Sequence, residues 1–193
     1  MQGTRHTPRS LWLALSVLLA VASGTGAAQA QTAAAHTAPL QTVPAIDVPR
    51  YMGTWHEIAK YPNWFQKKCV SSTSATYRLQ ADGQVQVLNR CKTASGEWSD
   101  ALGAARQIGA KDSPRLQVRF APAWLSFIPM VWGDYWVIDI DPDYQWVVVS
   151  EPRREYLWVL ARTPQLPAAT LYTLQTRLTA KGFDVQRLEM SAP

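Results

Sequence analysis

Bond-making chemistry usually rests on histidines, thiolates or paired carboxylates, and this chain offers few of them in useful places. Of its histidines, His6 and His36 precede the patterned region and only His56 lies inside it, beside Trp55. One imidazole is too few for a histidine-rich metal site, and it leaves a single candidate general base of that type. On a strand next to a tryptophan it reads as an outward surface residue. Cys69 and Cys91 are the only cysteines; if they are paired, no thiolate nucleophile remains. No glycine-rich phosphate loop is present. Glu57 and Asp139 are the two carboxylates to inspect, because either would be a reactive group if it pointed into an apolar pocket. The residues therefore point to no catalytic constellation, no metal and no cofactor.

The elements that must position these residues begin after an export signal. Arg5 and Arg9 form a basic start, 11–22 is an apolar run, and Ala28-Gln29-Ala30 is a small-x-small cleavage site, so 1–30 reads as a secretory signal peptide. The run is too short to span a bilayer. No cysteine follows the signal, so a lipid-modified N-terminus is not expected, and the mature chain should be soluble in a periplasm or outside the cell. Cleavage lowers Lys+Arg from 19 to 17 against 14 acids, a net charge of about +3, which is weak attraction for a polyanion. With that charge and an exported chain, the aromatic content does not argue for nucleic-acid stacking. The Ala/Thr/Pro-rich stretch 31–46 has no periodicity and reads as a disordered leader. The remaining 47–190 is one domain with enough chain to bury a core.

The domain is written in strands. Gly53-Thr54-Trp55 opens the first, 53–61, and a loop over 62–70 carries Trp64, Phe65, Lys67, Lys68 and Cys69. Asp82-Gly83 between two β-prone runs, 72–79 and 84–91, is a strong hairpin signal. That hairpin brings Cys91 back toward Cys69, so turn and disulfide support each other; two free buried thiols are the alternative. Further strands are expected over 98–108, 115–120, 135–140, 144–150 and 156–162. Eight closely spaced strands with turn chemistry between them indicate a sandwich or barrel. One helix follows: Pro167 suits its first turn, Leu171, Leu174 and Leu178 share a stripe, and Gly182 stops it. A single stripe packs the helix against the outside of the wall. A short terminal strand is expected within 183–188.

Gly53-x-Trp55, Asp141-x-Asp143-Tyr144 before a strand, and Arg162 at the end of the last strand resemble, in this order, the three motifs of the lipocalins. The wording of 133–141 and 151–162 is similar to the branch that holds the bacterial lipocalin, apolipoprotein D and the plant temperature-induced lipocalins. The resemblance covers about 47–190. It implies an all-β fold, an eight-stranded antiparallel up-and-down calyx with one C-terminal α-helix packed outside. It also implies a structural plug of Gly53, Trp55 and Arg162, the guanidinium lying across the indole. Bacterial members of this branch are often lipoproteins, and the missing cysteine departs from them.

The resemblance implies binding and transport or storage of a small hydrophobic ligand such as a fatty acid or lysophospholipid in the cell envelope. An enzyme on the same scaffold is the alternative class. Alternation leaves strands six and seven apolar on both faces, and the expected lining is Tyr77, Val87, Phe120, Tyr135 and Trp146. With the first motif at the closed end, the loops over 62–70 and 121–132 lie at the mouth, as do the turn after Cys91 and the turn 151–155. The 121–132 loop is too apolar for a solvated connection. Trp64, Phe65, Trp124, Phe127 and Ile128 are therefore membrane-contact candidates, with Lys67, Lys68, Arg153 and Arg154 facing anionic headgroups; the alternative is that the loop folds over the rim. The partners expected are a lipid ligand and a bilayer surface but no nucleic acid, and the chain is expected to be a monomer or dimer.

Overall fold

The computed structural model describes residues 38–193. The proposed signal, 1–30, and the first part of the leader lie outside them. A one-turn helix α1 (Val48–Tyr51), started by the Asp47 carboxylate accepting from the Arg50 N–H, leads into the strands. These are β1 (Gly53–Lys60), β2 (Ser71–Leu79), β3 (Val85–Lys92), β4 (Trp98–Gln107), β5 (Arg115–Arg119), β6 (Gly133–Ile140), β7 (Trp146–Ser150) and β8 (Leu157–Ala161). Helix α2 (Ala168–Ala180) and a two-residue strand β9 (Glu189–Met190) complete the chain. From β1 to β8 each strand pairs antiparallel with the next, and β1 also pairs with β8, which closes the sheet into a barrel, while β9 adds to β1. Closure removes the exposed edges that an open sheet would leave.

Two cores result, one on each face of the wall. Inside the barrel lie Trp55, Tyr77, Val85, Val87, Ala105, Leu116, Val137, Val147, Val149 and Leu160. Outside it, Ile58, Ile138, Val148 and Val159 meet Leu174 and Leu178 of α2. This explains why β6 and β7 are apolar on both faces: one face looks inward and the other is covered by the helix. Leu174 and Leu178 are buried as the stripe predicts, and Gly182 follows at φ +83°, a conformation that suits glycine at a helix end.

Three expectations need correction. The end of the leader is packed: Leu40 sits in the outer core, the Val43 N–H donates to the Val137 carbonyl, and Ile46 joins the inner core. Composition favoured disorder there, but these three aliphatic contacts outweigh the local signal. The terminal strand is Glu189–Met190, after Phe183 has packed into the outer core and Val185–Arg187 has made a 3-10 turn. Trp146 does not line the calyx. Val147 and Val149 take the inward parity of β7, so Trp146 and Val148 turn out beneath α2, where Trp146 and the helix bound a groove of about 250 Å³.

Candidate functional site

The closed end is built around Trp55, which is completely buried. Its indole N–H donates to the Tyr51 carbonyl at 2.8 Å, which satisfies the one polar atom of the ring. The Arg162 guanidinium lies 3.7 Å from the ring centroid and donates to the carbonyls of Thr54, Arg50 and Tyr144 at 3.0, 2.6 and 3.3 Å. Burial lowers its pKa from the ordinary arginine value, which a cation–π contact and three carbonyl acceptors make tolerable. Gly53 is needed here for two reasons. Its φ is +92°, and a Cβ at this position would stand 3.4 Å from Arg162 Nη1. The plug residues thus converge as expected.

Above the plug three phenols meet. The Tyr51 ring packs on Trp55 at 5.2 Å, and its hydroxyl is 2.7 Å from that of Tyr135, which is 2.9 Å from that of Tyr77. Burial pushes the Tyr77 hydroxyl up to about 12. Tyr51 is raised well above its ordinary value by burial and then by the neighbouring Tyr77 charge. Tyr135 is raised by burial and then by the charges that Tyr51 and Tyr77 would carry. Two mutual hydrogen bonds use two of the three hydroxyl protons. The third proton is free to donate to an acceptor on a molecule held inside. Tyr51 was not a sequence candidate: it sits on a single helical turn with no alternation to place its side chain.

The remaining lining candidates divide. Tyr77, Val87 and Tyr135 belong to the inner core. Phe120 follows the end of β5 at the rim; its ring lies over Gly103, where an added Cβ would come within 2.7 Å, and it remains 42% exposed. The two carboxylates also divide. A register shift between Val137 and Asp139 turns Ile138 and Asp139 outward together and returns Ile140 to the interior. Asp139 then pairs with Arg177 of α2 at 3.4 Å. Simple alternation, which put Asp139 on the face of Tyr135 and Val137, fails at that bulge. Glu57 does face inward, two residues beyond Trp55, opposite Leu160, and is 7% exposed. It is engaged by Gln66 Nε2 at 2.7 Å, Ser191 Oγ at 2.6 Å and Lys60 Nζ at 3.6 Å. Among the described residues no three metal-ligating side chains cluster.

The mouth has a different character. Cys69 and Cys91 are bonded, as expected, tying the loop after β1 to β3. Phe65 packs against Tyr156 and Trp158, which stack on one another at 6.0 Å, so the first loop is clamped to β8 across the rim. The 121–132 loop folds back at its end. Trp132 lies under Arg106 and Arg119 and donates to the Ser126 carbonyl. Its middle points away: Trp124 is 72% exposed and Phe127 77%, whereas Ile128 is turned partly in. Met130, absent from the sequence candidates, is 93% exposed. Trp64 stands out beside Phe65, with Lys67 and Lys68 exposed next to it. Arg154 is engaged within the protein: it donates to the Lys181 carbonyl at the end of α2 and to the Ala38 carbonyl.

Residues 46–193 match the family described as the lipocalin-like domain. The chain is 41% identical to temperature-induced lipocalin-1 of Arabidopsis thaliana over 151 residues, covering 77% of this chain and 80% of the relative. It is 32% identical to the outer membrane lipoprotein Blc of Escherichia coli K12 over 176 residues, 90% of this chain and 95% of that protein. Apolipoprotein D of Mus musculus is 30% identical over 150 residues, 74% and 75% of the two chains. Among solved structures, insecticyanin from the tobacco hornworm Manduca sexta superposes with a TM-score of 0.62 at 18% identity, covering 80% of this chain and 84% of that one.

Proposed function

The chain belongs to the lipocalin family, and from that premise we propose that it carries or stores a small hydrophobic molecule, a single-chain lipid in an envelope or extracellular compartment. The observation that carries this reading is the inner face of the closed barrel, apolar from Val85 to Leu160 and interrupted above the plug by three phenol hydroxyls with a proton to spare. An apolar body is held by burial and an acceptor at its inner end by the phenols. Members of the family are generally binding and transport proteins, which supports the same reading. The disulfide supports export, and no helix among the described residues is long and apolar enough to cross a membrane.

Native mass spectrometry of the protein purified from its own compartment, followed by organic extraction, tests the proposal. One lipid per chain is the expected result. A chain that arrives empty and takes up neither fatty acid nor lysophospholipid would instead be a barrel filled by its own side chains.

The mouth favours loading at a bilayer. Trp64, Trp124, Phe127 and Met130 present large apolar groups to solvent around one rim, with Lys67 and Lys68 beside them to meet anionic headgroups. Replacing Trp124, Phe127, Ile128 and Met130 by serine should abolish flotation with anionic liposomes while leaving the barrel folded. Unchanged flotation would remove membrane contact from the proposal.

A further inference from the structure

The barrel is closed unevenly at one seam. The ladder between β1 and β2 runs only from Gly53↔Tyr77 to His56↔Ser74. Toward the mouth the two strands separate, and both are irregular where they do. β1 shifts register against β8 between Glu57 and Ala59, β2 shifts against β3 between Ser71 and Ser74, and Ser72 has a φ of +52°. The end of the chain fills the gap. β9 pairs Met190 with Ala59 and Glu189 with Lys60, the Ser191 N–H donates to the Ile58 carbonyl, and the Ser72 N–H donates to the Ala192 carbonyl. Half of this stretch of wall is therefore a terminal strand of two residues, both exposed. Detaching it uncovers no buried side chain of its own, the kind of element that opens at low cost.

One buried carboxylate holds this strand and the first mouth loop together. Glu57 Oε1 accepts from Ser191 Oγ on the tail, and its Oε2 accepts from Gln66 Nε2 on the loop. Lys60 Nζ bridges Glu57 to Glu189 of β9 at 3.6 and 3.7 Å. Gln66 Oε1 in turn accepts from Asn63 at 2.6 Å and from the Trp158 indole at 3.0 Å, and Trp158 packs on the inner core. Outside, a cleft of about 420 Å³ lined by Lys60, Asn63, Gln66, Lys67 and Glu189 runs down to the same residues. Gln66 thus borders the cleft on one side and bonds to interior groups on the other.

We propose that this seam is a side door of the calyx. β9 leaves β1 when Glu57 releases it, and the ligand passes between β1 and β2, beneath the first loop, which the disulfide and the Phe65, Tyr156 and Trp158 contacts hold in place. Glu57 is the positioning residue of the door and Ser191 its catch. The inference rests on the reading of the calyx as a ligand carrier.

A door changes rates and leaves affinity alone, because open and closed forms lead to the same bound state. Stopped-flow binding and displacement of 11-(dansylamino)undecanoic acid on the full chain separates the two. Ser191→Ala removes one charge-assisted hydrogen bond from the part-buried tail and should accelerate both association and dissociation about tenfold, with Kd unchanged within about twofold. Glu57→Gln should act in the same direction and further. Rates unmoved in both variants, or a changed Kd at constant association rate, would overturn the door. Amide exchange reads the opening without ligand. The backbone amides of residues 72 and 191 should exchange faster in Ser191→Ala by a common factor while those of the β1–β2 ladder stay protected; unaltered exchange overturns the proposal. A wild-type chain that binds no probe yet shows this exchange pattern would count against the carrier reading and not against the opening of the seam.

Discussion

At the closed end of the barrel Trp55 has no exposed surface, a guanidinium on its face and a partner for its N–H; at the mouth Trp124 is 72% exposed. The same side chain does opposite work at the two ends. Below, the indole is stability: its area is removed from water and its polar atom is satisfied. Above, an exposed indole removes little area from water, and a cluster of such groups on one rim adds little to folding.

Substitution at the two tryptophans would break that contrast or sharpen it. Trp55→Ala should lower the unfolding free energy by about 3–5 kcal/mol, because it leaves a cavity and strands Arg162 without its ring. Trp124→Ala should stay within about 0.5 kcal/mol of wild type. Urea unfolding measures both, and similar losses at the two positions would mean that the mouth loop is packed after all. Next in size comes the disulfide. Cys69 and Cys91 are 22 residues apart, and replacing both by serine should cost about 3 kcal/mol in the loop-closure account. This would make the mouth an end held by a covalent link where the closed end is held by packing. A loss well under about 1 kcal/mol would assign that role to the Phe65, Tyr156 and Trp158 stack.

The closed end was also the legible end. Gly53, Trp55 and Arg162 are recognisable because their spacing along the chain carries the motif, and the strands follow from alternation and turn residues. Alternation failed where a strand changes parity. Asp139 could not be placed without the bulge beside it, and Trp146 belonged to whichever face the helix covered. Contacts made across long separations were invisible. Leu40 and Ile46 looked like part of a disordered leader until the barrel gave them apolar surfaces to meet. Glu57 stood out as a carboxylate in an apolar strand, but its partner Ser191 is 134 residues away, and no local pattern could have named it. Met130 was not singled out from the loop's apolar residues because exposure, unlike hydrophobicity, is a property of the folded loop.

The last of these contrasts distinguishes the ends by pH. The 121–132 loop carries no ionisable side chain, whereas the phenols above the plug give the closed end an alkaline response that this loop lacks. Tyr77 ionises near 10 in an unfolded chain and at about 12 in the folded one. Between those values the unfolded chain has released a proton that the folded chain retains, so unfolding is accompanied by proton loss and stability falls as pH rises. The slope is about 1.4 kcal/mol per pH unit for this one group. Tyr51 and Tyr135 are displaced in the same direction and steepen it. Below pH about 10 the three phenols are neutral in both states and contribute no pH dependence. Tyrosinate absorbance followed with near-UV circular dichroism should show these phenols ionising only as the tertiary signal is lost. Tyr77→Phe should flatten the alkaline slope by one group's worth. Phenols that ionise while the fold is intact would mean that water already reaches the plug, and the closed end would then be as open as the mouth.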